Sequence, residues 1–175
     1  MPPHAGEPAE SRTLAIMVDN EPGVLARVVG LFSARGYNIE SLTVAETDKS
    51  AHRSRITVVT RGEPNIIDQI KSQLDRIVSV RNVIDVTRDP AGVQRELALV
   101  KVRSTGADRI EALRLSEIFR AKVIDTTLES FIFEMTGASD KVDAFIDLMR
   151  PIGLVEVSRT GVLSIHRGPE LDRVS

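Results

Sequence analysis

The sequence contains no cysteine and no tryptophan, and its only tyrosine is Tyr37. The lack of cysteine excludes disulfides, thiolate metal ligands and a cysteine nucleophile, and it fits a reducing compartment. Aromatic residues make up only 3% of the chain. A base-stacking surface for nucleic acid or an aromatic groove for sugars is therefore hard to build.

Long apolar runs and a large net charge are missing as well. No apolar segment is long enough to cross a membrane, and a net charge of −2 does not attract phosphate backbones. The first eight residues lack the basic and apolar regions of a signal peptide. With 42% hydrophobic and 27% charged residues, the composition is typical of a soluble globular protein, and we expect a cytoplasmic location.

Residues that would support catalysis are scarce. The three histidines, His4, His52 and His166, belong to no nucleophile or metal motif, and there is no Gly-rich phosphate loop. Asp19 and Glu21 flank an amide, but two acids at a helix start are usually solvated. We expect no catalytic residue, no metal ligand and no cofactor in this chain.

Apolar patterning predicts the order β-α-β-β-α-β in the first half. A nearly continuous apolar run predicts a strand at 13–18, and Pro22 is expected at the first position of a helix that reaches Arg35. Gly36 is expected to end that helix in a left-handed conformation. The other predicted elements are strands at 39–46 and 55–61, a helix from Pro64 and a strand at 80–87.

The same pattern recurs in the second half. The predicted elements are strands at 96–102, 123–127, 131–136 and 154–165, the last with a bend at 159–161, and helices at 107–120 and 141–150. We therefore predict an α+β protein with two ferredoxin-like β-α-β-β-α-β domains. The expected boundaries are a disordered tail at 1–11, domains at 12–88 and 96–168, a linker at 89–95 and a second tail at 169–175.

Polar residues stand at both ends of the first predicted helix. Asn20 and Gly23 lie at its start and Asn38 follows its end, and the second half has no counterpart to the Asn-Glu-Pro or Gly-Tyr-Asn sequences. A helix N-terminus offers N–H groups to a carboxylate, and a glycine lets a ligand approach the backbone. The apolar residues available beside them are Leu25, Ile39 and Leu42. The pattern fits a site for an aliphatic amino acid, with helix capping by Asn20 as the alternative.

Two runs of sequence carry a family resemblance. Asp-Asn-Glu-Pro-Gly at 19–23 and Arg-Gly-Tyr-Asn-Ile-Glu-Ser-Leu at 35–42 strongly resemble an ACT domain, and in particular that of the small regulatory subunit of acetolactate synthase. Segments 96–102, 117–125 and 155–162 resemble the second part of the same family. The resemblance covers about 12–168, so the N-terminal domain is expected to be an ACT domain.

The resemblance implies a non-catalytic partner in branched-chain amino-acid biosynthesis. Such subunits activate the catalytic subunit, a transferase that carries thiamine diphosphate, Mg and FAD, and they confer feedback inhibition by valine. The effector would lie between two ACT domains paired in a homodimer. Carried over to this sequence, the polar contacts are Asn20, Gly23 and Asn38, the neighbouring apolar residues are Val24, Leu25 and Ile39, and the dimer strand contains Thr43 and Ala45.

Two other functions are alternatives to this one. An RNA-binding module has the same element order but stacks bases on aromatic residues of its first and third strands, and segments 14–18 and 55–60 have no aromatic residue. The second alternative is a scaffolding subunit, or an amino-acid sensor, without a response to valine.

Overall fold

The computed structural model describes residues 8–87 and 92–169. The chain divides into two compact units, one formed by residues up to Val93 together with those from Ser164 onward, the other by Gln94–Leu163. Within the described residues, every helix is too short or too polar to span a bilayer. The predicted segments at 1–7, 88–91 and 170–175 lie outside the described residues.

The first unit has the predicted element order. Its elements are β1 (Glu10–Asp19), α1 (Val24–Ala34), β2 (Asn38–Asp48), β3 (Arg53–Gly62), α2 (Pro64–Leu74) and β4 (Val80–Asp85). The strands form an antiparallel sheet in the order β2-β3-β1-β4, which leaves β2 and β4 at its edges. This is the strand order of a ferredoxin-like sandwich, as predicted.

The core of this unit lies between the sheet and the two helices. Val24, Val28 and Phe32 recur at i, i+4 and i+8 on α1, and all three are buried. They pack with alternate residues of β1 and β3 and with one face of α2. The other core residues of the unit are Leu14, Ile16, Val18, Ile56, Val58, Ile67, Ile70, Leu74 and Val80.

The second unit repeats the arrangement. Its elements are β5 (Gly92–Arg103), which begins two residues before the unit, α3 (Gly106–Phe119), β6 (Lys122–Thr126), β7 (Ser130–Gly137), α4 (Ser139–Gly153) and β8 (Leu154–Arg159). A last strand, β9 (Leu163–His166), follows in the chain. The strand order in this unit is β6-β7-β5-β8. Phe133 and Phe145 meet edge to face in its core, with ring centroids 6.0 Å apart.

Several predicted boundaries were wrong. The helix α1 begins at Val24, because Pro22 and Gly23 form a turn in which Gly23 has φ 84°. β1 begins at Glu10, inside the predicted tail, because Glu10 and Ser11 extend the ladder to β3. Residues 92–95, which were predicted as part of a linker, belong to β5.

The predicted last strand is two strands. β8 ends at Arg159 and β9 begins at Leu163, separated by a turn in which Gly161 has φ 84°. The residues after the break group with the first unit, where the guanidinium of Arg55 donates to the carbonyl of Ser164 at 2.7 Å. The second unit therefore ends before residue 168, the predicted domain boundary.

Candidate functional site

The residues predicted to bind an effector fall into two corners of the first unit. Asn20 follows the end of β1, Gly23 is the N-cap residue of α1, and Val24 and Leu25 are its first two residues. Asn38 and Ile39 begin β2, after the opposite end of α1. We call the loop 19–23 with the first turn of α1 the Asn20 corner.

The Asn20 corner is shaped by backbone hydrogen bonds. The N–H of Asn20 donates to His52 O at 2.6 Å, that of Glu21 to Asp19 O at 2.8 Å and that of Val24 to Glu21 O at 3.2 Å. In the described part of the chain, no side chain makes a capping hydrogen bond to α1, so the alternative that Asn20 caps this helix finds no support. The Asn20 side chain is exposed beside the helix start.

Donors at this helix start are unpaired. Among the described residues, the backbone N–H groups of Gly23, Leu25 and Ala26 have no acceptor. Apart from its two neighbours in the chain, no described residue has an atom within 4 Å of where a Cβ on Gly23 would stand, so the backbone there is open to a ligand. Unpaired N–H groups at the positive end of the helix dipole suit a carboxylate.

The apolar residues of the corner differ in access. Val24 is only 5% exposed and packs in the core, whereas Leu25 is 38% exposed. Leu25 can therefore contact an aliphatic side chain directly, and Val24 supports the helix start from below. Ile39 is half-buried and packs against the same core.

The second corner is set by the end of α1. Gly36 has φ 69°, and the N–H groups of Gly36 and Tyr37 donate to Ser33 O at 3.1 Å and Phe32 O at 2.9 Å. This is a Schellman motif, so the predicted left-handed cap at Gly36 is confirmed. The backbone carbonyl of Asn38 accepts a hydrogen bond from Thr60 Oγ1 at 2.8 Å. The side-chain amide of Asn38 is exposed.

Asn20 and Asn38 are far apart within one chain. The neighbouring Asp19 lies opposite Arg53 in the β1–β3 ladder, whereas Asn38 lies opposite Arg61 at the other end of β3. Eight residues of strand separate these positions, or roughly 26 Å. The structure thus brings Asn20, Gly23 and Leu25 together but does not bring Asn38 to them.

The strand β2, which contains Thr43 and Ala45, is an edge of the sheet. Thr43 lies opposite Thr57 and Ala45 opposite Arg55. On the other face of β2, Leu42 and Val44 are 36% and 47% exposed. An open edge with small residues on one face and exposed apolar residues on the other is suited to pairing with another strand.

Two residues that were not predicted from the sequence contact the Asn20 corner: Ser79, just before β4, and Arg81, in β4. The carboxylate of Asp19 accepts hydrogen bonds from Arg81 Nε at 2.9 and 3.0 Å, and this interaction lowers the pKa of Asp19 below its usual value. Ser79 Oγ donates to the carboxylate of Glu21 at 2.7 Å, and Ser79 O accepts from the N–H of Asp19 at 2.8 Å. No sequence signal links these residues, because 58 to 62 positions separate the side-chain partners.

The corresponding corner of the second unit keeps the backbone but not the side chains. Gly106, at the start of α3, has φ 58°, as Gly23 has a positive φ at α1. The residues before it are Ser104 and Thr105, so no amide stands where Asn20 stands. Throughout the described parts of both units, no three His, Cys, Asp or Glu side chains are grouped to hold a metal ion.

Two known protein families together match nearly all of this chain. The family described as the AHAS small subunit-like ACT domain matches residues 14–82. The family described as the small subunit of acetolactate synthase matches residues 95–168. The two matches correspond to the two repeats of the β-α-β-β-α-β pattern.

Individual relatives agree with these matches. The chain is 46% identical to the probable acetolactate synthase small subunit of Archaeoglobus fulgidus, over 89% of this chain and 96% of that one. It is 44% identical to the acetolactate synthase isozyme 3 small subunit of Salmonella typhimurium, over 93% and 99%. The crystal structure of the acetolactate synthase small subunit from Thermotoga maritima superposes with a TM-score of 0.82 at 38% identity, covering 92% of this chain and 99% of that one. This chain therefore belongs to the family of acetolactate synthase small subunits, with a regulatory ACT domain in its first half.

Proposed function

We propose that this chain is a non-catalytic regulatory subunit that binds and activates an acetolactate synthase catalytic subunit and makes it sensitive to valine. Family membership supports the partner, because a small subunit implies a catalytic one. The observation that carries the effector site is the set of unpaired N–H groups of Gly23, Leu25 and Ala26 beside the exposed amide of Asn20.

The chemistry of an α-amino acid fits these groups. Its carboxylate would accept hydrogen bonds from the first turn of α1, where the helix dipole favours a negative charge. The side chain of Leu25 would contact an aliphatic side chain, and an amide oxygen would accept from the ammonium group. A branched-chain amino acid satisfies all three requirements.

The complete site requires two copies of the chain. Asn20 and Asn38 are separated by roughly 26 Å along one sheet, too far for one valine to touch both. We therefore place the effector between the Asn20 corner of one copy and Asn38 of another, joined through their β2 edges. The exposed Leu42 and Val44 would be buried in that homodimer.

Regulation would follow from linkage. Valine bound between two ACT domains favours one arrangement of the dimer, and the catalytic subunit is more active with the other. The shift in activity can be no larger than the difference in valine affinity between the two arrangements.

Titration calorimetry of valine, leucine and isoleucine against the full chain tests the proposal, followed by assay of the catalytic subunit with and without this chain. We expect heat with valine, activation by the chain alone and inhibition when valine is added. If activation occurs but none of the amino acids binds, alone or with the catalytic subunit present, the chain is a scaffolding subunit. If activation is absent too, the whole proposal is wrong.

A further inference from the structure

The Asn20 corner is hydrogen-bonded to two residues at the start of β4, Ser79 just before the strand and Arg81 within it. Ser79 contacts it twice, through the hydroxyl bonded to Glu21 and the carbonyl bonded to the N–H of Asp19. Arg81 donates to the carboxylate of Asp19 from Nε and from one of its terminal guanidinium nitrogens. The two carboxylates so fixed stand immediately before and after Asn20 in the chain.

We propose that Ser79 and Arg81 are positioning residues for the effector site, setting the orientation of Asn20 through Asp19 and Glu21. This inference rests on the proposed function, because it concerns the same effector site. A positioning residue acts without touching the ligand, and Ser79, at 2% exposure, is too buried to contact it.

The geometry explains why two anchors are needed. Among the described residues, the one hydrogen bond that holds Asn20 itself runs from its backbone N–H to His52 O at 2.6 Å. Without the contacts of Ser79 and Arg81, its exposed side chain would move with residues 20–23, which join β1 to α1. A small misplacement of a polar group weakens the hydrogen bonds that it makes to a ligand, because these depend steeply on distance and angle.

The second unit offers matched controls for both residues. Ser116 is 3% exposed and its Oγ donates at 2.7 Å to Leu113 O, so Ser116→Ala matches Ser79→Ala in burial and in bond length. Arg114 pairs with Glu111 through two guanidinium nitrogens at a similarly exposed position, so Arg114→Ala matches Arg81→Ala. Any effect of losing a buried hydroxyl or an exposed ion pair is thereby separated from an effect on the effector site.

The experiment measures the valine Kd of the full chain by titration calorimetry, together with the denaturation midpoint of each variant. We expect Ser79→Ala and Arg81→Ala each to raise the Kd about tenfold, the loss expected when a hydrogen bond to a charged group no longer supports the site. The controls Ser116→Ala and Arg114→Ala should leave the Kd within about twofold of wild type. Each variant and its control should have similar denaturation midpoints.

A double variant tests whether Ser79 acts through Glu21. If it does, adding Ser79→Ala to Glu21→Gln should change the Kd little further, because residues that share a partner are not additive. The inference is overturned, with the proposed function intact, if wild type binds valine and the Ser79→Ala and Arg81→Ala variants bind it as tightly as their controls. Both fall if wild type binds none of valine, leucine and isoleucine, alone or with the catalytic subunit present. Since Arg81 is 55% exposed, Arg81→Ala should fold, and it decides the matter if Ser79→Ala does not fold.

Discussion

Gly36 and Arg120 occupy the same position in the same helix-ending motif, one in each unit. Gly36 has φ 69° after α1 and Arg120 has φ 57° after α3. In each case the following residue donates to a carbonyl five positions back, Tyr37 to Phe32 at 2.9 Å and Ala121 to Ser116 at 2.8 Å. The second unit therefore retains the left-handed conformation but not the glycine that favours it.

This relationship predicts opposite effects of two substitutions. Arg120→Gly should raise the free energy of unfolding by roughly 1 kcal/mol, since it relieves a left-handed conformation that L side chains disfavour. Gly36→Ala should lower the free energy of unfolding by a similar amount. The cause would be the backbone conformation alone, because no described residue beyond the chain neighbours has an atom within 4 Å of the added Cβ. Urea denaturation checks both. Equal effects of the same sign would contradict the assignment of the motif.

Substitution of Gly23 should separate backbone strain from ligand binding. Gly23→Ala should destabilise the chain by roughly 1 kcal/mol, because Gly23 has φ 84°. The added methyl group would lie in open space and should leave room for the ligand beside the backbone. Gly23→Asp should also abolish valine binding, since it places a negative charge where the carboxylate is proposed to bind. Calorimetry and denaturation of the two variants distinguish these effects. Undiminished valine binding by Gly23→Asp would refute the placement.

The Asp19–Arg81 pair should make stability depend on pH in the acid range. Because the hydrogen bond from Arg81 lowers the pKa of Asp19 in the folded state, the pair stabilises the fold above about pH 4, the ordinary range of an aspartate. That contribution is lost as the pH falls through the lowered pKa. The stability difference between wild type and Asp19→Asn should therefore be present at pH 7 and shrink in acid. A constant difference in denaturation midpoint would contradict this.

Arg12 should be a large contributor to the stability of the first unit. It is 2% exposed, and its guanidinium donates to Asp85 at 2.6 Å and to Glu10. Arg12→Leu should lower the free energy of unfolding by about 3–5 kcal/mol, because it leaves the buried Asp85 without its cation. Arg114→Leu, at an exposed pair, is the control and should have a much smaller effect. Similar midpoints for the two variants would show that the Arg12 pair is not desolvated.

The proposed homodimer predicts that a charge on the β2 edge disrupts it. Val44→Lys should give a monomer by light scattering, because an exposed apolar position at the interface would then bury a charge. Ile110→Lys, on α3 and 72% exposed, should leave the mass unchanged. A Val44→Lys variant that keeps the mass of wild type would remove β2 from the interface.

The sequence predicted the element order and the two-unit repeat because these depend on local apolar periodicity. It failed where neighbouring strands decide the outcome. Glu10 and Ser11 are polar residues without strand periodicity, yet they pair with Gly62 and Arg61 across the ladder. Pro22 was expected inside α1 because proline favours a first turn, but the left-handed Gly23 that follows delays the helix by two residues.

The residues of the proposed effector site were predictable only in part. Asn20, Gly23 and Asn38 stand out as polar or glycine positions at the ends of a patterned helix, and the family resemblance gives them roles. Ser79 and Arg81 could not be found this way, since nothing local to residues 79–81 indicates that they reach the end of β1. Long-range side-chain contacts of this kind leave no periodic trace in one sequence.

If the effector lies between two chains as proposed, the distance between Asn20 and Asn38 would make protein concentration a regulatory variable. A ligand that needs one asparagine from each of two chains could bind only the associated form, so valine binding and self-association would reinforce each other. The apparent affinity for valine should weaken as the chain is diluted below its dimer dissociation constant, and added valine should lower that constant. A cell that makes less of this subunit would then have an acetolactate synthase less sensitive to its end product.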